Sequence, residues 1–346
     1  MMPESVLLKA QAELLNWNGT GISMLELQHR SKDFIELAAK ITEDFRALLQ
    51  IPKEYKILFL QGGARSQFSM VPLNLLGKKS KADYVVTGIW SRMAKEEAEI
   101  YAKVNVVEDA KESHYTTIRN PAEWSIDKDA AYLHYADNET VDGLEFDTIP
   151  DSRGLALVCD MSSNILSRPF DMSRYALIYA GAQKNMGPAG ITLAVVHEDF
   201  LGHALPITPS MFDYEKHVKA ESMQNTPPCF VWYMVGLMLD WVKAAGGVSE
   251  MEKRAKLRSQ KLYQYIDSSK LYVNPVNPLY RSRMNIVFDL HDTSLNERFI
   301  KESAAAGLLC VKGHVKRGGM RVALYNAMPE AGVDALIDFM KDFAHE

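Results

Sequence analysis

The chain has 346 residues, of which 47% are hydrophobic and 24% charged, and a net charge of −5 at pH 7. This length suits about two domains with large cores, and the composition is ordinary for a globular protein. The acidic balance argues against a general nucleic-acid-binding protein, which would normally carry an excess of basic residues.

Membrane insertion and disulfide bonding are also not expected. The most apolar stretch, 230–242, is interrupted by Asp240 and is shorter than the roughly 20 residues of a membrane span, so it predicts a buried helix. Cys159, Cys229 and Cys310 are far apart and show no metal-binding spacing. With no secretory leader, they predict free thiols in a reducing, cytoplasmic setting and no metal site.

The predicted elements alternate between strands and helices from residue 55 onward. Short apolar runs predict strands at 55–60, 82–87, 130–135, 155–159, 175–180 and 191–196. A glycine-rich turn leads from the first strand into a helix, and a charged helix at 91–103 follows the second. Short apolar strands separated by helices and loops favour a largely parallel sheet covered on both faces.

The composition changes after the Ala-Ala-Gly-Gly run that ends at Gly247. A charged helix at 248–267 follows, then a strand at 285–290, a helix at 295–307, a strand at 321–325 and a terminal helix from about 329. We therefore predict an α/β protein with a large domain at 1–245, built on a mostly parallel central sheet, and a smaller C-terminal α+β domain at 246–346.

Four features fall at predicted strand ends, where ligands bind to parallel α/β sheets. The turn 62–66 (G-G-A-R-S) can present backbone N–H groups and a helix dipole to a phosphate, and Trp90, Asp160 and Lys184 follow other strands. Taken singly, they are typical of an ordinary turn, a core tryptophan, a capping carboxylate and a solvent-facing lysine. Together they match what pyridoxal phosphate (PLP) requires: a lysine for the Schiff base, a carboxylate for the pyridine nitrogen, an aromatic plate and a phosphate cradle.

Seven motifs occur in order along nearly the whole chain: W-N-G-T-G at Trp17, H-R-S-K at His29, G-G-A-R at Gly62, H-Y-A-D-N-E-T at His134, G-A-Q-K-N-M-G-P-A-G at Gly181, N-T-P-P at Asn225 and Y-N-A-M at Tyr325. They resemble those of the phosphoserine aminotransferases, class V aminotransferases with PLP fold type I. The resemblance implies that 3-phosphohydroxypyruvate is aminated by glutamate to O-phosphoserine in serine biosynthesis. It also implies a second reaction, on the 4-phosphohydroxythreonine intermediate of pyridoxal phosphate synthesis.

The resemblance assigns roles to residues that match the family motifs. Lys184 would form the Schiff base and move the proton, Asp160 would pair with the pyridine nitrogen, and Trp90 would stack on the ring. Further cofactor contacts would come from Thr140, on the phenolic oxygen side, and from Ala64, Arg65 and Gln183 at the phosphate. The neighbouring subunit of a homodimer would donate Asn225 and Thr226, which otherwise form a plain loop. The substrate anions would be bound by His29, Arg30, His314 and Arg321.

Two departures from the family pattern bear on the substrate. The family continues Gly-His-Arg where this chain has Gly313-His314-Val315, which leaves Lys316 or Arg317 to supply the missing charge. A segment that precedes the Met-Pro of residues 2–3 in the family is absent here. The competing interpretations are another class V PLP aminotransferase with a different acidic substrate, and a non-catalytic phosphate-binding protein that uses only the turn 62–66.

Overall fold

The computed structural model describes residues 1–345. Its strands are β1 (Tyr55–Gln61), β2 (Lys81–Val86), β3 (Lys103–Asp109), β4 (Tyr132–Ala136), β5 (Asn138–Glu139), β6 (Leu144–Glu145), β7 (Ala156–Asp160), β8 (Leu177–Gly181), β9 (Ile191–His197), β10 (Tyr272–Val273), β11 (Asn285–Leu290) and β12 (Met320–Ala323). Its α-helices are α1 (Glu4–Glu13), α2 (Lys32–Leu48), α3 (Ser66–Leu75), α4 (Ile89–Ala98), α5 (Tyr214–Lys219), α6 (Cys229–Ala244), α7 (Gly247–Ser268), α8 (Asn296–Ala305) and α9 (Glu330–His345).

The central sheet has the strand order β1-β9-β8-β7-β4-β2-β3. Strand β9 runs antiparallel to both β8 and β1, and every other pairing in the sheet is parallel. One reversed strand among seven confirms the prediction of a mostly parallel sheet. The carboxyl ends of the parallel strands therefore meet at one edge, where the predicted site residues fall.

Side chains of the sheet alternate between two hydrophobic cores. In β1, Ile57 and Phe59 pack into one core while Leu58 and Leu60 pack into the other. The first core includes residues of α2 and α6, and the second includes residues of α3 and α4. Because both faces are covered, the strands consist of nearly continuous apolar residues, which is why most of them could be predicted from the sequence.

The prediction was wrong at 91–103, where the structure has a shorter helix and an additional strand. Helix α4 ends at Ala98, and Lys103 begins β3. Strand β3 lies at the edge of the sheet, where Val107 is buried but Lys103 and Asp109 are exposed. An edge strand with exposed charged residues lacks the continuous apolar run that marks the interior strands.

A second sheet, with the order β10-β11-β12, is entirely antiparallel. It packs with α7, α8 and α9 around a separate core that includes Leu262, Phe288, Phe299 and Met340. We propose that this smaller domain begins at the Gly246-Gly247 break, where both glycines have positive φ (105° and 78°) and α6 and α7 meet at 80°. In the described part of the chain, no single helix has the length and apolar composition needed to span a membrane.

Buried amide side chains join the two domains. Asn185 donates Nδ2–H to the carbonyl oxygens of Ser163 (2.8 Å) and Ile165 (3.1 Å), and its Oδ1 accepts the backbone N–H of Asn326 (3.0 Å). Asn138 donates a further hydrogen bond across the boundary to Asn285 (3.1 Å). Asn185 follows Lys184 directly, so the residue next to the lysine is bound to both domains through its side chain.

Candidate active site

Lys184 lies in the turn that follows β8, facing the ring of Trp90. Its Nζ is 5.7 Å from the centroid of the indole ring. Burial lowers the pKa of Lys184, and the carboxylates of Asp160 and Glu139 oppose this effect, while the charge of Arg321 adds to it. A lysine whose pKa is lowered has a larger fraction of its amine in the neutral, nucleophilic form.

Asp160 is the last residue of β7, the strand next to β8. Its Oδ1 accepts the backbone N–H of Ser162 at 2.8 Å, and the Ser162 hydroxyl accepts the N–H of Gly181 at the end of β8 (3.1 Å). Burial raises the pKa of Asp160, and the nearby charge of Lys184 opposes this. The carboxylate and the amine thus lie at adjacent strand ends and interact electrostatically.

Trp90 lies in the first turn of α4 and is held by two side chains from the segment after β4. Its backbone N–H donates to Oε2 of Glu139 (3.0 Å), and its Nε1–H donates to the hydroxyl of Thr140 (2.9 Å). The other carboxylate oxygen of Glu139 accepts the N–H (2.8 Å) and the hydroxyl (2.6 Å) of Ser91. Thr140, predicted as a cofactor contact, therefore lies beside the predicted aromatic plate.

Glu139 is a component of this site that the sequence analysis missed. It is fully buried, and burial raises its pKa to about 7 although the hydrogen bonds from Ser91 and Trp90 oppose the increase. The residue before α4 is Gly88, which has no side chain to accept the free N–H groups of the first turn, and Glu139 does so instead. Glycine at position 88 indicates that α4 has no side-chain N-cap of its own. The sequence does not show which distant residue accepts the free N–H groups instead.

The glycine-rich turn 62–65 connects β1 to α3 at the same edge of the sheet. Gly62 donates its N–H to Gly190 O (3.0 Å), and the hydroxyl of Thr192 donates to Gly62 O (3.1 Å). Among residues 1–345, no acceptor forms a hydrogen bond with the backbone N–H of Ala64 or of Arg65. Free N–H groups ahead of a ten-residue helix suit a phosphate.

Gln183 completes this edge of the sheet. Gly181 pairs with Thr192, which places the end of β8 next to the turn. The exposed Gln183 folds its amide back over Gly181, where a Cβ atom would lie only 2.7 Å from Oε1. The three predicted phosphate contacts, Ala64, Arg65 and Gln183, are therefore grouped at one sheet edge.

Arg321 and His314 lie on the same side as Lys184. Arg321, in β12, donates from Nη1 to the carbonyl oxygen of Thr140 (3.1 Å), and its charge acts on Lys184. His314 acts electrostatically on Asp142, two residues after Thr140. Both predicted substrate contacts from the small domain therefore face the segment that holds Trp90.

His29 and Arg30 lie in a groove that none of the residues around Lys184 lines, whereas Asn225 and Thr226 contact Gln61, the residue before the turn 62–65. His29 and Arg30 line a groove with residues 219–221 and Met223. Asn225 donates to the side chain of Gln61 (3.0 Å), and Gln61 donates to Thr226 O. Both residues are exposed beside the end of β1. Within one chain, the predicted substrate contacts thus form two separate groups.

The residues around Lys184 fit pyridoxal phosphate. The indole of Trp90 faces the lysine amine, the carboxylate of Asp160 lies at the next strand end, and the free N–H groups of Ala64 and Arg65 lie at the same edge of the sheet. An amine nucleophile, a carboxylate, an aromatic face and an anion cradle are the groups that this cofactor needs. In the described residues, no cluster of three or more His, Cys, Asp or Glu that could hold a metal is present.

Comparisons with known proteins agree with this geometry. The family model described as aminotransferase class-V matches residues 1–336, which defines the class. The phosphoserine aminotransferase of Hahella chejuensis is 52% identical over 343 residues, 99% of this chain and 95% of that protein. That of Pseudomonas syringae is 50% identical over 345 residues, 100% of this chain and 96% of that protein.

A solved structure extends the similarity to the fold. The phosphoserine aminotransferase from Bacillus circulans subsp. alkalophilus has a TM-score of 0.97 and 39% identity, covering 100% of this chain and 96% of its own. The chain therefore belongs to the phosphoserine aminotransferase family.

Proposed function

We propose that the protein is a PLP-dependent transaminase that aminates 3-phosphohydroxypyruvate with L-glutamate, giving O-phospho-L-serine and 2-oxoglutarate in serine biosynthesis. The observation that carries this proposal is the placement of Lys184 opposite Trp90 and beside Asp160 in a chain about half identical to phosphoserine aminotransferases. A protein that only bound phosphate at residues 62–66 would need none of these three side chains.

When bound, pyridoxal phosphate supplies an electron sink that acidifies the Cα–H of an amino acid. Lys184, with its lowered pKa, is the amine that bonds the cofactor. Once free, the same amine would take the proton from Cα of the amino-acid substrate, and with the keto acid it would return a proton to that carbon.

The other site residues hold and orient the reactants. Asp160 would keep the pyridine nitrogen protonated, Trp90 would stack on the ring, and Thr140 would contact the phenolic oxygen side. Ala64, Arg65 and Gln183 would bind the phosphate through backbone and side-chain donors. Arg321, whose guanidinium lies near Lys184, binds the substrate carboxylate as a planar fork.

We also propose a homodimer in which each site is completed by the partner. Within residues 1–345, 14 large hydrophobic residues are exposed, and seven of them lie in the first 35 residues: Met1, Leu7, Leu8, Leu15, Ile22, Leu25 and Ile35. Ile35 also lines the groove of His29 and Arg30. A second copy covering this apolar surface would bury it and carry His29, Arg30, Asn225 and Thr226 toward the other chain's Lys184.

The free thiols of Cys159, Cys229 and Cys310 support a further proposal, a reducing cytoplasmic location.

The first test is to purify the protein without added cofactor, record its visible spectrum and titrate it with O-phospho-L-serine. The proposal predicts an absorption band of lysine-bound cofactor that phosphoserine converts to the pyridoxamine form. A band that glutamate converts but phosphoserine does not would retain the transaminase and reject the substrate. The same titration with 4-phosphohydroxythreonine tests the second reaction, which needs the same anion contacts.

A further inference from the structure

The turn between residues 313 and 319 selects which of its side chains face the protein. Gly313 N–H bonds Gly319 O (2.8 Å), and the N–H groups of Arg317 (2.9 Å) and Gly318 (2.8 Å) both bond His314 O. A Cβ atom at Gly313 would overlap Gly318 O, so the turn closes this tightly only with glycine there.

Of the three residues at the centre of this turn, only Arg317 points inward. Val315 is 91% exposed, and Lys316 is exposed too. The side chain of Arg317 is 14% exposed and binds Asp289 through Nη2–Oδ2 at 2.8 Å and Nη1–Oδ1 at 3.4 Å. Gly319 makes this approach possible, because a Cβ atom there would overlap Asp289 Oδ1.

The inward position brings the charge of Arg317 close to Asp142, a residue at the edge of the active site. Burial raises the pKa of Asp142, and the charges that oppose this come chiefly from Arg317, with Arg92 and His314 contributing. The backbone N–H of Ile89, the residue before Trp90, also opposes the rise in the pKa of Asp142. Asp142 lies two residues after Thr140, whose carbonyl oxygen accepts a hydrogen bond from Arg321.

Four basic side chains are grouped around Thr140 and Asp142. The charges of Arg317, Arg92 and His314 act on Asp142, and Arg321 binds the carbonyl oxygen of Thr140, while the acids beside them are Asp142, Asp289 and Glu139. Arg321 is the cation nearer Lys184, because its charge acts on that amine. Arg317 lies in the turn before the same strand, and its charge acts on Asp142 rather than on Lys184, which suits a second anionic group farther from the reacting carbon.

We infer that Arg317, and not Lys316, binds the phosphate of the substrate, with Asp289 as its partner when no substrate is bound. This inference rests on the proposed function and names the residue that supplies the charge missing at Val315. A guanidinium can bind two phosphate oxygens as a fork, as it binds the two carboxylate oxygens of Asp289. Binding then exchanges one pair of charge-assisted hydrogen bonds for another.

The test compares Arg317→Met, Lys316→Met and Asp289→Asn in the PLP-loaded full chain. For each variant, we would measure KM and kcat with O-phospho-L-serine and the single-turnover reaction with L-glutamate, which has no phosphate. Arg317→Met is expected to raise KM for phosphoserine about tenfold or more and to change the glutamate half-reaction less than about twofold. Lys316→Met removes one positive charge from the same turn and is expected to change neither.

Asp289→Asn separates phosphate binding from a purely structural ion pair. It removes the competing charge and keeps a polar side chain, so KM for phosphoserine is expected to stay the same or fall. If Arg317→Met and Asp289→Asn reduced activity equally, with phosphoserine and with glutamate alike, the inference would be overturned. The ion pair would then only stabilise the turn. A wild-type chain that reacts with glutamate but not phosphoserine would instead overturn the proposed function.

Discussion

The amine of Lys184 faces the indole ring of Trp90, with Nζ 5.7 Å from the ring centroid. Trp90 is held at two points: Glu139 accepts its backbone N–H, and Thr140 accepts the Nε1–H of its ring. A planar group bonded to Lys184 would therefore lie against a face whose position is already determined. Such prior positioning lowers the entropic cost of orienting the reacting atoms.

Replacing Lys184 by alanine should abolish covalent attachment of the cofactor. Borohydride reduction followed by mass spectrometry should fix the cofactor to the wild-type chain and not to Lys184→Ala, and kcat should fall on the order of 10²- to 10⁴-fold from loss of the proton-transfer group alone. The exposed Lys301→Ala is the matched control and should behave as wild type. Fixation of the cofactor to Lys184→Ala at wild-type yield would contradict the assignment.

Asp160→Asn should reduce turnover while leaving the cofactor attached to Lys184. The amide is neutral and cannot stabilise a protonated pyridine nitrogen, so kcat is expected to fall about 10²- to 10³-fold. Steady-state kinetics together with the reduction assay separate these two effects. Asp171→Asn, at an exposed carboxylate away from the site, provides the control.

The two contacts of Trp90 can be tested by a pair of substitutions. Trp90→Phe keeps an aromatic face but loses the Nε1 hydrogen bond to Thr140, whereas Trp90→Ala loses both. Stacking is worth about 0.5–1.5 kcal/mol, so we expect cofactor affinity to fall by severalfold more in Trp90→Ala than in Trp90→Phe. Equilibrium dialysis with absorbance detection measures both dissociation constants. Equal affinities would remove stacking from the explanation.

Glu139 should make the protein less stable as the pH rises from about 5 to 8. Below about pH 4.5 the carboxyl is protonated in both states. Between there and the folded pKa of about 7, the unfolded chain loses the proton and the folded chain keeps it, so the free energy of unfolding falls. The raised pKa corresponds to roughly 3 kcal/mol over the whole range.

Glu139→Gln isolates this effect because it cannot ionise. Its amide N–H₂ would face an N–H of Trp90 or Ser91, so we expect it to be about 1–3 kcal/mol less stable than wild type at pH 5, with the difference shrinking by pH 8. Urea unfolding at both pH values measures the change, and the exposed Glu123→Gln is the control. A constant difference across the range would show that Glu139 ionises normally in the folded chain.

Mixed dimers should reveal shared sites. If Arg30 acts on the partner's Lys184, a chain carrying Arg30→Ala and one carrying Lys184→Ala are each inactive alone. Random mixing should restore about a quarter of wild-type activity, because half the dimers are hybrids with one intact site of two. If both residues serve the same chain's site, every mixed site retains a defect and no activity returns.

The sequence predicted the features that depend on strand ends and left open those that depend on turns and packing. Trp90, Asp160 and Lys184 could be found because each follows an apolar strand, and parallel strands bring their carboxyl ends together. Glu139 could not be assigned, since its role depends on a contact between the ends of two strands and an uncapped helix.

For residues 315–317, the sequence could not predict which side chain faces inward. Their charges are plain in the sequence, but which one faces inward depends on the close turn at Gly313, on the approach of Gly319 to Asp289 and on the ion pair between Arg317 and Asp289, none of which a local pattern reveals. The positions of His29 and Arg30 could not be predicted either, because they depend on the distant segment 219–221, with which these residues line a groove.

The buried hydrogen bonds of Asn185 limit how the two domains can move. One amide binds the large domain at Ser163 and Ile165 and the small domain at Asn326. Any rotation of the small domain that kept these bonds would have its axis close to Asn185, where displacement is smallest. Lys184 would then stay nearly stationary during such a motion, while parts of the small domain away from Asn185 would be displaced more.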